Sequence, residues 1–219
     1  GATGNIDLDH FQDLAEKYFG DMKALDPITA EPAAYKGGES HTARDLEQVH
    51  YILGFEGVPV KGRPFYETAI LGTILGGGMS SKLFQEIREK QGLVYSIFSY
   101  HSAYSDAGVF GIHASMTPDN LEKVHKSVLK ELDLFAESLS DDDLKKARQQ
   151  LKSSLMMSLE GVTAQCDQLI QHLKLYDRPL TQKEILDEVN AVTKEDLIAR
   201  AKSIFSSPTT RVTLGPKSL

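Results

Sequence analysis

The sequence contains 219 residues, of which 24 are Lys or Arg and 31 are Asp or Glu, so its formal net charge is −7. Because binding to phosphates requires a surplus of basic residues, this acidic balance argues against a nucleic-acid-binding protein. The single cysteine, Cys166, excludes an intramolecular disulfide and a cysteine-based metal cluster. No apolar run approaches the roughly 18 residues of a membrane-spanning helix.

Residues 5–20 predict one amphipathic helix. Apolar side chains recur at helical spacing from Leu8 to Phe19. Asp7 or Asp9 can cap the start of this helix, and Gly20 can end it. We expect the helix to be the last element of an N-terminal half that precedes Gly1, because a lone helix before a long linker is unusual in a compact domain.

A linker follows the helix, because residues 21–40 lack periodicity and contain Pro27, Pro32 and the Gly37-Gly38 pair. We therefore predict three segments: a terminal helix left over from the missing half at 1–20, a linker at 21–43, and a C-terminal domain at 44–219.

The C-terminal domain begins with a strand, a helical pair and a hairpin. Alternating apolar residues from Val49 to Phe55 predict the strand, and helices are predicted over residues 63–75 and 80–90. Strands at about 93–104 and 108–116 follow, with Asp106 and Gly108 suited to the bend between them.

The remainder is predicted to be mostly helical. Apolar stripes from Leu121 to Phe135 and from Leu144 to Leu155 indicate core-facing helices, and a closing strand is expected at about 210–214. Ser140, Thr181 and Thr193 each begin a pattern that is typical of a helix start. The predicted order is β-α-α-β-β-α-α-α-α-α-β, an α+β fold in which a largely antiparallel sheet is covered by helices.

The common catalytic signatures are absent from the sequence. The seven histidines include no H-x-x-x-H or H-x-x-E-H pair, which a helical zinc site requires, so no metal ligand is predicted. No G-x-S-x-G elbow is present, and Cys166 is best interpreted as a small buried thiol. The histidines are expected at strand surfaces and helix exteriors.

A glycine run at residues 76–78 has two interpretations. It does not fit a phosphate-binding loop, because it follows a helix and Lys82 comes after the serines. It is either a tight bend whose glycines have positive φ, with Ser80 or Ser81 capping the next helix, or an exposed backbone that meets an extended ligand. The second interpretation makes Gly77, Gly78 and Ser80 candidate substrate-binding residues.

One block of sequence carries a family resemblance. Residues 75–96 read LGGGMSSKLFQEIREKQGLVYS, and residues 88–95 are the most distinctive part. The block resembles the C-terminal half of the pitrilysin and mitochondrial-processing-peptidase family of inverted-motif zinc peptidases, especially its short two-domain bacterial and organellar members. The likeness extends to GNID at 4–7, QVHYILGF at 48–55, DAGVF at 106–110 and VTKEDL at 192–197.

The resemblance implies a half of the LuxS/processing-peptidase-like metallohydrolase fold that binds a peptide substrate. In this family the first half carries H-x-x-E-H and the zinc, and the second half contributes an Arg and a Tyr that hold the substrate. These positions match Arg88, for substrate holding, and Tyr95, which would donate to the scissile carbonyl in the transition state. Composition alone leaves a simpler interpretation, with Arg88 in a surface ion pair beside Glu86 and Glu89 and Tyr95 a half-buried strand aromatic.

The resemblance also implies partners and a cofactor. Zinc would be bound by the absent N-terminal half, in the same chain or in a partner subunit of a homo- or heterodimer, so the isolated chain should be inactive. The alternative is a non-catalytic structural or recognition subunit of a processing-peptidase-type complex. The compartments of the family are the bacterial cytoplasm or periplasm and the mitochondrial matrix.

Overall fold

Five strands form one mixed sheet in the order β1-β5-β2-β4-β3. The structure, a computed structural model, describes residues 1–23, 25–26 and 31–219. Pro27 of the predicted linker lies outside the described residues. β1 pairs with β5 in parallel, and the other neighbouring strands are antiparallel. The strand bounds are β1 Gly38–Ala43, β2 Val49–Gly57, β3 Ser96–Ala103, β4 Gly108–Met116 and β5 Thr210–Gly215.

One face of this sheet forms the core. Residues Val49, Tyr51, Leu53 and Phe55 of β2 are buried and pair with the buried Met116, Ala114, Ile112 and Phe110 of β4. Side chains alternate along a strand, so the intervening residues share the opposite face. We call that opposite face the open face and define it by His50, Ile52, Gly54, Phe98, Tyr100, Gly111, His113 and Ser115.

The helices are interspersed with the strands along the chain. Their bounds are α1 Leu8–Phe19, α2 Arg63–Gly76, a π-helix at Phe84–Lys90, a 3₁₀-helix at Pro118–Asn120, α3 Leu121–Asp133, α4 Phe135–Ser138, α5 Asp141–Ser158, α6 Val162–Tyr176, α7 Gln182–Ala191 and α8 Lys194–Phe205. None of the helices in the described part of the chain is long and apolar enough to cross a membrane.

The chain divides into two compact units. One comprises Gly1–Pro32 and Ser154–Thr181, and the other comprises Ala33–Ser153 and Gln182–Leu219. The second unit contains the whole sheet and both residues that the resemblance singles out. The segment boundaries at residues 20 and 43 remain predictions.

The predicted α+β fold and its largely antiparallel sheet are confirmed, with three differences in detail. Residues 38–43 of the predicted linker form the strand β1, whose residues are all exposed and therefore show no apolar alternation. The helix predicted over 80–90 is a turn that leads into the π-helix. The helix predicted to reach Phe135 is interrupted, so that Phe135 begins the short helix α4.

The observed helix caps and apolar stripes mostly agree with those predicted from the sequence. Asp7 accepts from the backbone N–H of His10 at the start of α1, and Ser140 and Asp143 bond reciprocally before α5. The stripe from Leu121 to Phe135 is buried. The stripe along α5 was predicted as core throughout, which is wrong, because Leu144 and Ala147 are buried whereas Leu151 and Leu155 are half-buried.

A charged pair joins α2 to α8. The buried Glu67 carboxylate accepts from Nε of Arg200 at 3.0 Å and also lies 2.9 Å from its NH2 group. Arg63, one turn earlier on α2, donates to Asp196 at 2.7 Å. These contacts fix α2, and with it the corner that follows α2 in the chain.

Candidate substrate-holding corner

The corner that carries Arg88 and Tyr95 is built by the π-helix and a reversal at Gly92. One side of the π-helix segment is buried in the core through the side chains of Leu83, Phe84 and Ile87. Gly92 has φ +62°, a left-handed conformation that favours glycine, and its N–H donates to the carbonyl of Arg88. Wider π-type turns are uncommon and occur frequently at functional sites. The chain therefore reverses directly after the turn that carries Arg88.

Arg88 is exposed on this corner, and its guanidinium lies over the ring of Phe84, 4.7 Å from the centroid. Glu86 instead pairs with Lys90 at 2.8 Å, and this hydrogen bond lowers the pKa of Glu86. Among the described residues Arg88 makes no ion pair, so the simpler interpretation as a surface ion-pair residue does not hold. The edge of its guanidinium is left open to a ligand.

Tyr95 is exposed on the other side of the reversal. It lies one residue before β3 rather than within the strand, and 55% of its surface is accessible. Its backbone N–H donates to the carbonyl of Ser115, which anchors it to β4. Its hydroxyl has no hydrogen-bond partner among the described residues, so Tyr95 is not the half-buried strand aromatic of the simpler interpretation. No hydrogen bond or cation–π contact joins it to Arg88 in that same part of the chain.

The glycine run before the π-helix is mainly structural. A Cβ at Gly76 would lie 2.2 Å from the backbone nitrogen of Ser99, and one at Gly77 would lie 2.6 Å from the Cα of Thr73. Gly78 alone of the three has positive φ, +155°. The carbonyl of Gly77 accepts from Gln150, whereas Gly78 and Ser80 are exposed. Close packing against neighbouring backbone thus explains why residues 76 and 77 are glycines.

Ser81 does not cap the following helix. Its hydroxyl donates to the carbonyl of Gly78 at 2.6 Å, and its side chain makes no capping bond to the π-helix. The bend is therefore closed by a hydrogen bond back to the glycine run, which leaves the roles of Gly78 and Ser80 toward a ligand as a prediction.

Aromatic and imidazole side chains occupy the open face beside this corner. Phe98 is 44% exposed and its ring lies 4.9 Å from that of His113. Tyr100 lies over Gly111, where a Cβ would be 2.3 Å from its ring, and burial raises its pKa. His101 lies on the core face, where it contacts Phe65. Alternation already places Phe98 and Tyr100 on the face opposite His101, and the structure shows that His101 is on the core face.

His50 and His113 approach one another on the open face. Nδ1 of His50 is 3.4 Å from Nε2 of His113. Burial, and then the neighbouring His50, lower the pKa of His113. The two residues lie in β2 and β4, 63 positions apart in the sequence.

Zinc is the metal that the resemblance implies, and the described residues were compared with the ligand set that it requires. Among the described residues no group of three or more His, Cys, Asp or Glu side chains could hold a metal ion. Structural zinc sites require four ligands and catalytic sites three. The described residues therefore do not form a resident zinc centre.

Comparison with known protein families assigns the chain to one of them. Residues 1–151 match the family described as "Peptidase M16 inactive domain". The chain belongs to this family. Membership confirms the resemblance carried by residues 75–96.

Relatives of this M16 domain are named as zinc proteases. One from Rickettsia felis, named "Uncharacterized zinc protease", is 39% identical over 218 residues, which cover 99% of this chain and 53% of the relative. One of the same description from Bacillus subtilis is 32% identical, covering 93% of this chain and 50% of the relative. The chain spans about half the length of these curated relatives.

Solved structures share the fold of this M16 domain. The M16 inactive domain from Pseudomonas fluorescens superposes with a TM-score of 0.79 at 22% identity, covering 98% of this chain and 53% of the other. A protease from Helicobacter pylori gives a TM-score of 0.81 at 21% identity, covering 97% and 53%. These likenesses support the fold.

Sequence reasoning about this M16 domain did not find the His50–His113 pair. Local motif spacing cannot reveal it, because the two residues meet only through the register of β2 and β4. A signal was present, since both histidines occupy the less buried positions of alternating strands. To find the pair from the sequence, one would have to predict both that β2 and β4 are neighbours and the register in which they pair.

Proposed function

We propose that this chain is the substrate-binding C-terminal half of a zinc-dependent metalloendopeptidase. In this proposal an N-terminal half carries the zinc site, and this chain holds the peptide through Arg88 and Tyr95. The observation that carries the proposal is that both side chains are exposed on one corner with their polar groups unused among the described residues.

Arg88 would bind the peptide backbone. A guanidinium presents a planar fork of N–H donors that suits a carbonyl pair or a carboxylate. The Phe84 ring beneath Arg88 restricts the guanidinium before the substrate arrives, which lowers the entropy lost on binding. A charge-assisted hydrogen bond of this kind contributes about 1.5–3 kcal/mol.

Tyr95 would donate its hydroxyl to the carbonyl oxygen under attack. Negative charge develops on that oxygen in the transition state, so a positioned donor stabilises the transition state more than the bound substrate. Closure of two halves around the peptide would exclude water and strengthen both hydrogen bonds. This chain therefore contributes binding and electrostatic stabilisation.

The surface of α1 supports a partner half. None of the 12 residues of this helix is buried. Leu8, Tyr18 and Phe19 are each more than 60% exposed. A contiguous apolar helix face in water is typical of an interface. The relatives are about twice as long as this chain, which supplies a candidate occupant in their remaining half.

The test of the substrate roles uses the complete protein, meaning this chain together with the proposed N-terminal half. Tyr95→Phe should lower kcat for a fluorogenic peptide about 100-fold or more, as expected for the loss of one transition-state donor. Arg88→Ala should lower kcat/KM about 10- to 100-fold, because a charge-assisted hydrogen bond is lost. Arg88→Lys should recover little, because an ammonium lacks the planar fork.

Exposed residues away from the corner supply matched controls. Tyr104→Phe removes a hydroxyl from a Tyr that is 63% exposed, and Arg44→Ala removes an exposed guanidinium. Both should keep the activity, zinc content and Tm of the parent protein. Parent-like turnover in both Tyr95→Phe and Arg88→Ala would contradict the proposed roles of these residues, whereas a complete parent protein without turnover would favour the non-catalytic subunit.

The partner surface can be tested with the separately produced N-terminal half. Leu8→Glu and Phe19→Glu should weaken its binding to this chain at least tenfold in a titration, because each places a charge in the apolar interface. Their Tm values should stay near that of the parent, since α1 buries no residue. Lys17→Glu on the polar side of α1 is the control, and equal weakening by all three variants would refute this interface.

A further inference from the structure

The chain reversal between Arg88 and Tyr95 is tied to the start of α3 by one side chain. Nδ2 of Asn120 donates to the carbonyl of Leu93 at 3.2 Å, and this hydrogen bond is partly buried. The N–H of Leu93 donates to the carbonyl of Ile87 in the π-helix. Both main-chain groups of Leu93 are therefore bonded, one to the helix that carries Arg88 and the other to Asn120. Because Leu93 lies two residues before Tyr95, the Asn120 bond restrains the segment that leads into Tyr95.

The side chain of Asn120 makes this bond instead of the one that its position favours. Asn120 directly precedes α3, where an Asn side chain commonly caps a helix by accepting from a backbone N–H. In the described part of the chain its side chain makes no such capping bond, and its amide group is directed at the reversal. A residue type that is typical of a helix start thus serves a contact with a segment 27 positions away.

Packing orients this segment less than the hydrogen bond does. Val94 is buried, but the burial of an apolar side chain is non-directional. A hydrogen bond weakens steeply when it bends, so the Asn120 bond fixes the direction of the Leu93 carbonyl. Tyr95 itself is exposed and is held through its backbone N–H by Ser115. We propose that Asn120 is a positioning residue that holds the reversal so that the Tyr95 hydroxyl meets the carbonyl under attack, an assignment that rests on the proposed function.

Asn120→Asp in the complete protein isolates this bond. The carboxylate has nearly the shape of the amide but cannot donate to the Leu93 carbonyl. Its charge is favourable at the N-terminus of α3, so the Tm should stay near that of the parent. We expect kcat for the fluorogenic peptide to fall about 10- to 100-fold, because a misplacement of about 1 Å suffices for such a loss. KM should change less than about threefold, because Tyr95 acts in the transition state whereas Arg88 holds the bound peptide.

A double-mutant cycle tests whether Asn120 acts through Tyr95. In a Tyr95→Phe background Asn120→Asp should lower kcat little further, whereas in an Arg88→Ala background its full effect should remain. Ser127→Ala is the matched control, because it removes a hydrogen bond from α3 to the side chain of Gln91 at the same reversal. That bond is exposed and competes with water, so kcat should stay at the parent level.

Hydrogen exchange provides a measurement that does not need turnover. In the 219-residue chain, the amide of Tyr95 should exchange at least about tenfold faster in Asn120→Asp than in the parent, with the amides of β2 unchanged. A parent-like kcat, a parent-like exchange rate at Tyr95 or fully additive losses in the cycle would overturn this inference, and the proposed function would stand if Tyr95→Phe still loses turnover. Parent-like kcat in Tyr95→Phe, or a parent protein without turnover, would instead contradict the proposed function and this inference with it.

Discussion

The contact between Gly76 and β3 allows a direct test of how the corner that carries Arg88 and Tyr95 is supported. Gly76 is the last residue of α2 and is buried. A Cβ added there would lie 2.2 Å from the nitrogen and 2.8 Å from Oγ of Ser99, and 2.9 Å from the carbonyl carbon of Phe98. Two of these three atoms belong to the backbone of β3, so a side-chain rotation cannot relieve the clash.

The magnitude follows from the shift that Gly76→Ala requires. Non-bonded carbon contacts normally lie at about 3.5–4.0 Å, so the end of α2 and β3 must separate by more than about 1 Å. Overpacking of this kind typically costs about 1–3 kcal/mol. The alanine also recovers up to about 1 kcal/mol of helix propensity, less at the last residue of a helix. With about half of that propensity recovered at the helix end, we expect a net loss of about 0.5–2.5 kcal/mol in the free energy of unfolding.

Gly72→Ala is the matched control, one turn earlier on α2. A Cβ at Gly72 would lie 3.5 Å from the Phe110 ring and 3.7 Å from Oγ of Ser99, which are ordinary contacts. This variant should gain up to about 1 kcal/mol from helix propensity alone. Urea unfolding followed by circular dichroism gives both values from the shift in midpoint at constant m. A Gly76→Ala variant as stable as the Gly72→Ala variant would refute the argument from close approach.

Two further predictions concern charged and titratable groups. Glu67→Ala should lower the free energy of unfolding by about 3–5 kcal/mol, because it leaves the partly buried Arg200 unpaired, and adding Arg200→Ala should cost little more in the same urea assay. Stability should also fall as the pH drops from 7.5 to 5.5. Burial lowers the folded-state pKa of four histidines, His101, His113, His125 and His172, below its usual value of 6.5. The unfolded chain therefore binds more protons than the folded chain in this pH range, which destabilises the fold as the pH falls. An equal urea midpoint at both pH values would contradict this account.

The parts of the fold that the sequence predicted are those specified by local periodicity. Strand β2 has large apolar residues at every second position from Val49 to Phe55 because one face is buried, and α3 shows a helical stripe for the same reason. The capping box at Thr193 involves residues three positions apart, so it is readable without any tertiary information. Arg88 and Tyr95 came from a resemblance between motifs, and their exposure could not be derived from spacing.

The parts that were missed depend on contacts between distant segments. β1 is exposed on all six residues and is specified by its pairing with β5, so its own sequence carries no pattern. Apolar residues Leu83, Phe84 and Ile87 fit an α-helix and a π-helix equally well over so short a segment. Alternation alone places Phe98 and His101 on opposite faces of β3, but which of the two faces the helices cover could not be derived from the sequence.

The position of β5 between β1 and β2 has a consequence for biosynthesis. Both neighbours precede β5 in the chain, and β5 follows β4 only after the helices α3 to α8. While the ribosome translates those helices, one edge of β2 has its backbone amides and carbonyls unpaired, and β1 has no neighbour to dock onto. Such an edge is a template for association between nascent chains. Completion of the sheet must therefore be a late event, and this domain should depend on chaperones more than a hairpin-ordered sheet of similar size would.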